Sequence, residues 1–155
     1  MSGQITARLA ELKIELPAAS APAANYVPFV RSGNLVFISG QLPVWNGERR
    51  FTGKLGRDLT IEQGQEAARL SAVNLIAQIQ AAADGDLDRV ARIVRLGGFV
   101  NSVAEFADHP KVVNGASDLI VAVFGDAGRH ARTAVGVNSL PFDVAVEIDG
   151  IVELR

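Results

Sequence analysis

Hydrophobic positions follow two distinct rhythms along this chain. From residue 61, Ala68, Ala72, Leu75, Ile79 and Ala82 recur at steps of four and three, which places them on one face of an α-helix. Thr60 with Gln63 supplies a capping box at its start, and Asp84-Gly85-Asp86 ends it. Near the C-terminus, Val144, Val146, Ile148, Val152 and Leu154 alternate with Ala145, Glu147, Asp149, Ile151 and Glu153. That period of two predicts a strand with one face buried. Val27–Arg31 and Asn34–Ser39 are β-branched or aromatic runs around Ser32-Gly33-Asn34, a hairpin signal. Trp45-Asn46-Gly47-Glu48 predicts a second turn, with a short strand pair reaching Phe51.

Val90–Asn101 reads as another strand, in which Gly97-Gly98 marks a bulge or a close backbone approach. Pro110 opens a second helix, where its missing N–H costs nothing. Val113, Ala116, Ile120 and Val123 form that helix's buried face, and Gly125 or Gly128 stops it. Thr133–Val137 is a further strand. The order β-β-(β)-α-β-α-β-β predicts an α+β domain, a sheet carrying two helices on one face. Ahead of it, Ala7, Leu9, Ala10 and Leu12 give a short, marginal helix, and Pro17–Ala24 an extended connector. Residues 1–25 are therefore read as an N-terminal extension packed on a domain spanning 26–155.

Composition narrows the function. The 155 residues are 48% apolar but only 6% aromatic, and mean hydropathy is +0.21, enough for a substantial core. Fifteen Lys and Arg against seventeen Asp and Glu leave a charge of −2, with no basic field for a phosphate backbone. Nucleic acid is not an expected partner. The absence of cysteine excludes disulfides, thiolate metal sites and a cysteine nucleophile. No basic segment leads into an apolar run at the N-terminus, and no stretch reads as a membrane span, so the expected compartment is the cytoplasm.

Most catalytic motifs are missing. There is no phosphate loop, no G-x-S-x-G elbow and no H-E-x-x-H pair. His109, beside Pro110, reads as a surface cap; the role of His130 stays open. Arg132 is unusual, because an arginine opening a small, apolar strand needs a partner when buried. Glu147, expected on an adjacent strand, is the candidate.

Two segments carry more information. One is Asn34-Leu-Val-Phe-Ile-Ser39-Gly40-Gln41-Leu-Pro43; the other is Ala131-Arg132-Thr-Ala-Val-Gly-Val-Asn-Ser-Leu140-Pro141, followed by Val144-Ala-Val-Glu147-Ile-Asp149-Gly-Ile-Val. Together they resemble the YjgF/Rid family of reactive intermediate deaminases, also called endoribonuclease L-PSP-like. Its hallmarks are a strand ending S-G-Q-[IL]-P and a late A-R-x-x-V-x-V-x-x-L-P before V-x-[IV]-E-I-[ED]-x-I. Tyr26, Ser71, Asn74, Phe106 and Asn114 also match family positions, so the likeness runs from about Tyr26 to Leu154.

The resemblance implies a chorismate-mutase-like α+β fold assembled as a homotrimer, with clefts between subunits. It implies hydrolysis of reactive imines or enamines to keto acid and ammonia, with no cofactor and no metal. Arg132 would clamp the carboxylate of the imine or keto acid, and Glu147 would activate water. Tyr26, Ser39, Gly40 and Gln41 would bind the rest of the substrate. The chain departs from the family at Ala134, where cysteine is frequent, and at Gly136, where glutamate is common. Gly128-Arg129-His130 also replaces a usual Phe-Pro before the Ala-Arg pair. These departures keep an alternative open: a non-catalytic binder or regulator of small carboxylates on the same trimer. The ribonuclease or translation-inhibitor activity attached to the family name fits the charge of −2 poorly.

Overall fold

The capping box expected at Thr60 forms as a reciprocal pair. Gln63 N–H donates to Thr60 Oγ1 at 3.1 Å, and Thr60 N–H donates to Gln63 Oε1 at 2.9 Å. It starts a long helix whose predicted stripe lies in the core: Ala68, Ala72, Leu75 and Ile79 are all buried. The computed structural model that shows this describes residues 3–21 and 24–155; Pro22, part of the expected connector, lies outside the described residues.

In chain order the elements are α1 (Gln4–Glu11), β1 (Phe29–Ser32), β2 (Leu35–Gln41), β3 (Val44–Trp45), β4 (Glu48–Arg49), α2 (Ile61–Ala82), β5 (Val90–Asn101), α3 (His109–Phe124), β6 (Ala131–Val137) and β7 (Val146–Leu154). The main sheet runs β1-β2-β7-β5-β6; β5 and β6 are parallel, and the other neighbours are antiparallel. The parallel pair follows from the α3 crossover between β5 and β6. Val146, Ile148 and Val152 of β7 and Leu96 and Val100 of β5 are buried under α2 and α3. The predicted α+β class, with both helices on one face of the sheet, is what forms.

Several boundaries differ from the sequence reading. The second hairpin stops at Arg49, because Phe51 turns into the left-handed region at φ 57° and packs on the core instead. Strand β6 begins at Ala131, two residues earlier than expected, since pairing with β5 already starts at Arg95. No bulge occurs at Gly97-Gly98; register shifts lie nearer the start of β5, between Val90 and Arg92 and between Ile93 and Arg95. Gly98 marks the close approach instead: a Cβ there would meet the Val113 methyls of α3 at 2.6 Å.

The front of the chain is tied to the rest of the structure at specific points. Both Asp88 carboxylate oxygens accept backbone N–H groups at the start of α1, from Gln4 at 2.9 Å and Ile5 at 3.0 Å. Those are orphan donors of a helix N-terminus, and an acidic group suits the positive end of the helix dipole. Leu9 enters the core, and Arg8 Nε donates to the Ala122 carbonyl of α3 at 2.9 Å. Further on, the Ser20 carbonyl accepts from Gln78 Nε2 of α2 at 2.9 Å. Among the described residues, no helix is long and apolar enough to cross a membrane.

Candidate functional site

The Ser39-Gly40-Gln41 signature is built as a bulge. Ile38 pairs with Gly150 and Gln41 with Ile148, so Ser39 and Gly40 together oppose only Asp149. An extra residue in one strand re-aims its neighbours, here toward β7. Three bonds hold the bulge. Gln41, buried, donates through Nε2 to the Ser39 carbonyl at 2.9 Å. Ser39 N–H donates to the Pro28 carbonyl at 2.9 Å, and Ser39 Oγ to the Val27 carbonyl at 2.8 Å. The segment carrying Tyr26 is thereby pinned alongside β2. Gly40 has a steric reason: a Cβ there would collide with Glu147 Oε2.

These residues share one cavity of about 440 Å³, whose walls include Tyr26, Ser39, Gly40, Gln41, Glu147 and Phe142. Asn74 of α2 also lines it, and its Nδ2 donates to the Leu42, Val44 and Leu70 carbonyls at 3.2, 2.8 and 3.1 Å, fixing the turn after β2. Ser20 and Ala21 complete one side, so the N-terminal segment contributes to the wall. Glu147 is half-buried, and its carboxyl sits above the usual carboxylate range. Burial is the main cause and the neighbouring Asp149 the second. Asp149 is likewise raised by burial, opposed by Arg95, whose Nη1 lies 3.8 Å away, and by the Gly97 N–H.

Arg132 lies elsewhere. Strand β5 separates β6 from β7, so Glu147 is not on the strand beside Arg132, and the pairing expected from sequence does not form within the chain. The faces differ too. Arg132 is opposite buried Leu96 and turns toward α3, whereas Glu147 alternates with core residues Val146 and Ile148. The partners of Arg132 are neutral: Nη1 donates to Asn114 Oδ1 at 2.8 Å and to Ser117 Oγ at 3.1 Å. Neither Nε nor Nη2 has a hydrogen-bond partner among the described residues, which leaves the edge of the guanidinium that forks onto a carboxylate. Ser117 Oγ also contacts His130 Nε2 at 2.9 Å, and His130 Nδ1 contacts the Gly128 carbonyl at 2.6 Å.

Sequence reasoning picked out five residues that meet on one cavity and a sixth, Arg132, on another part of the sheet. Asn114 stood out only as a match to a family position, and Ser117 did not stand out at all. The available signal was two small polar residues three apart on α3, a spacing that stacks them on one helix face. His109 is not the cap expected: Asp108 precedes the helix, and His109 Nε2 lies 3.3 Å from Ser102 Oγ with its ring against the edge of Phe106. A Cβ on Gly136 would collide with this imidazole, so the missing side chain at 136 is the room that His109 occupies.

Asn101, at the end of β5, was also missed. It is fully buried, and its Nδ2 donates to the Gly53 carbonyl at 3.3 Å, Val144 carbonyl at 3.2 Å and Asp143 Oδ1 at 3.0 Å. Its Oδ1 accepts from Lys54 Nζ at 2.8 Å. These bonds hold the Pro141–Asp143 turn, where Phe142 and Asp143 adopt φ of 57° and 58°, beside the cavity. Arg49 lies over the Phe142 ring, 3.9 Å from its centre. Among the described residues, no group of three or more His, Cys, Asp or Glu is gathered as a metal site would require.

Comparison with known proteins places this geometry. A family model described as "YjgF/chorismate mutase-like, putative endoribonuclease" matches residues 6–153. Protein TCP17 of Trypanosoma cruzi is 54% identical over 155 residues, covering 99% of this chain and 96% of its own. The 2-iminobutanoate/2-iminopropanoate deaminase of Escherichia coli is 33% identical over 138 residues, 88% of this chain and 94% of its own. The crystal structure of Atu1372 from Agrobacterium tumefaciens, a protein of unknown function, superposes with a TM-score of 0.92 at 53% identity, covering 97% of this chain and 92% of that one. Fold, motifs and relatives agree: the chain belongs to the YjgF/chorismate mutase-like family.

Proposed function

We propose that the protein hydrolyses reactive imine or enamine intermediates to keto acid and ammonia, in a cleft completed between copies of the chain in a homotrimer. The observation that carries this reading is the meeting of Tyr26, Ser39, Gly40 and Gln41 with the partly desolvated Glu147 on one cavity. A second support is the open edge of Arg132, on a strand whose outer side has no partner in the sheet. Exposed Phe37 and Val135 add apolar surface on which copies can pack. Relatives named as imine deaminases support the reaction at the level of the family.

The chemistry asks little of the protein. Arg132 of one copy holds the substrate carboxylate through Nε and Nη2, and the imine carbon then faces Glu147 of its neighbour. The Glu147 carboxylate accepts a proton from water as the water oxygen bonds to the imine carbon, and passes that proton to the imine nitrogen. The carbinolamine then collapses: Glu147 takes its hydroxyl proton and delivers it to the nitrogen, and the C–N bond breaks to leave the keto acid and ammonia. One water is consumed for each keto acid and ammonia formed. The raised Glu147 suits both proton transfers, because a carboxylate whose pKa lies above its ordinary range is a stronger base.

The test is ammonia and keto-acid release from a freshly generated 2-imino acid. Wild type is expected to exceed buffer, while Arg132→Ala and Glu147→Gln each lose at least about tenfold. Release at the buffer rate by the wild type defeats the proposal. The second reading, carboxylate binding without turnover, is favoured by Ala134 and by His109 occupying the space beside Gly136. It predicts calorimetric binding of 2-oxobutanoate, lost in Arg132→Ala, with no ammonia released.

A further inference from the structure

We infer that His130 is a positioning residue for Arg132, acting through Ser117; the inference rests on Arg132 being the carboxylate clamp proposed above. Its basis is the direction in which the hydrogen bonds must run. A backbone carbonyl only accepts, so the 2.6 Å contact with the Gly128 carbonyl puts the proton on His130 Nδ1. In the neutral ring this makes Nε2 an acceptor, and the donor facing it at 2.9 Å is the Ser117 hydroxyl. With its proton committed to His130, Ser117 Oγ presents lone pairs to Arg132 Nη1 at 3.1 Å. Asn114 Oδ1 takes the other Nη1 hydrogen at 2.8 Å. The chain therefore runs one way, from Arg132 through Ser117 and His130 to Gly128, each group donating to the next.

This polarity matters because a serine hydroxyl can rotate. Pointed at the guanidinium, its hydrogen would oppose the Nη1 hydrogen; held by His130, it makes Ser117 an acceptor at all times. Two acceptors on Nη1 fix the guanidinium plane and leave Nε and Nη2 directed at the ligand.

The experiment measures Kd for 2-oxobutanoate, and KM and kcat for a 2-imino acid, in His130→Phe, His130→Gln, Ser117→Ala, the Ser117→Ala/His130→Phe pair and Arg132→Ala. His130→Phe removes the acceptor and is expected to raise Kd and KM by about 5–10-fold while kcat moves by less than about twofold. Ser117→Ala should match it, and the double variant should be no worse than either single one, since both break the same chain. Gln supplies an acceptor oxygen at a similar reach and should return Kd to within about threefold of wild type. If His130→Phe misfolds, Ser117→Ala and His130→Gln still decide.

Wild-type Kd in His130→Phe overturns the inference, whatever Ser117→Ala does. So does a Gln variant as weak as Phe, or multiplying losses in the double variant. Arg132→Ala separates the two levels. If it abolishes binding while the His130 variants bind normally, only the positioning role falls; if it binds normally, the clamp itself is wrong.

Discussion

Asn101→Ala is expected to cost the fold about 3–5 kcal/mol, although the change removes only a short, uncharged side chain. The amide serves three acceptors and one charged donor within a fully buried site. Without it, the Gly53 and Val144 carbonyls lose this donor, each costing about 1–3 kcal/mol where water cannot replace it. Relaxation of the neighbouring turn offsets only part of this loss. Phe142 and Asp143 both sit at positive φ, an arrangement costing about 1–3 kcal/mol per residue and maintained only by surrounding contacts. Backbone bonds from Gly53 N–H to the Asp143 carbonyl and from Asp143 N–H to the Leu140 carbonyl remain, so the turn loosens without being lost.

With an unfolding entropy of about 0.3 kcal/mol per degree for a chain of this length, the expected fall in Tm is about 10–15 °C. Thermal unfolding followed by circular dichroism, with the fluorescence of the single tryptophan, Trp45, as a second probe, measures it. Asn101→Asp is the discriminating control. It keeps the volume and the partner of Lys54 but replaces a donor with oxygen facing Asp143 and two carbonyls. It should be at least as damaging as alanine. An aspartate variant melting with the wild type, or an alanine variant within about 3 °C of it, refutes the donor argument. Because Phe142 lines the cavity, turnover should fall in the alanine variant even well below its melting temperature.

Other outcomes follow from the same geometry. Gly40→Ala drives a methyl into Glu147 Oε2 and should cut turnover by at least about tenfold in the ammonia assay while Tm changes little. Glu147→Gln should remove a pH dependence of stability. The folded-state carboxyl is raised, so the native form holds its proton longer than the unfolded one, and stability falls as pH rises from the ordinary carboxylate range through the raised value. Melts across that interval should be flatter in the glutamine variant. Asp88 has the opposite sign: the N–H groups of Ile5 and Gln4 lower its carboxyl, so its contribution is present above the ordinary carboxylate range and lost as pH falls through the lowered value. Hydrogen exchange should show α1 losing protection on acidification, and in Asp88→Asn already at neutral pH.

Much of the local structure was legible before any coordinates. The α2 stripe, its capping box and the β7 alternation come from nearest-neighbour physics, in which a helix or strand period states which face is buried. The Ser39-Gly40-Gln41 run read as part of the site, but the reason did not. Its bulge exists only against β7, more than a hundred residues later, and Gly40 is required only because Glu147 arrives there. His109 was assigned to the surface because nothing local distinguishes a helix residue facing solvent from one facing an edge strand.

The sequence alone determined the α+β class, the placement of most elements and the family, because periodicity, capping and motif order are properties of the chain itself. It also marked Tyr26, Ser39, Gly40, Gln41, Arg132 and Glu147. Tertiary structure alone decided which of them meet. Inserting β5 between β6 and β7 parts Arg132 from Glu147 and puts them on opposite faces of the sheet. Strand order depends on long-range pairing, and no spacing along the chain encodes it; hence the partners of Arg132 are Asn114 and Ser117 rather than the carboxylate its motif suggests.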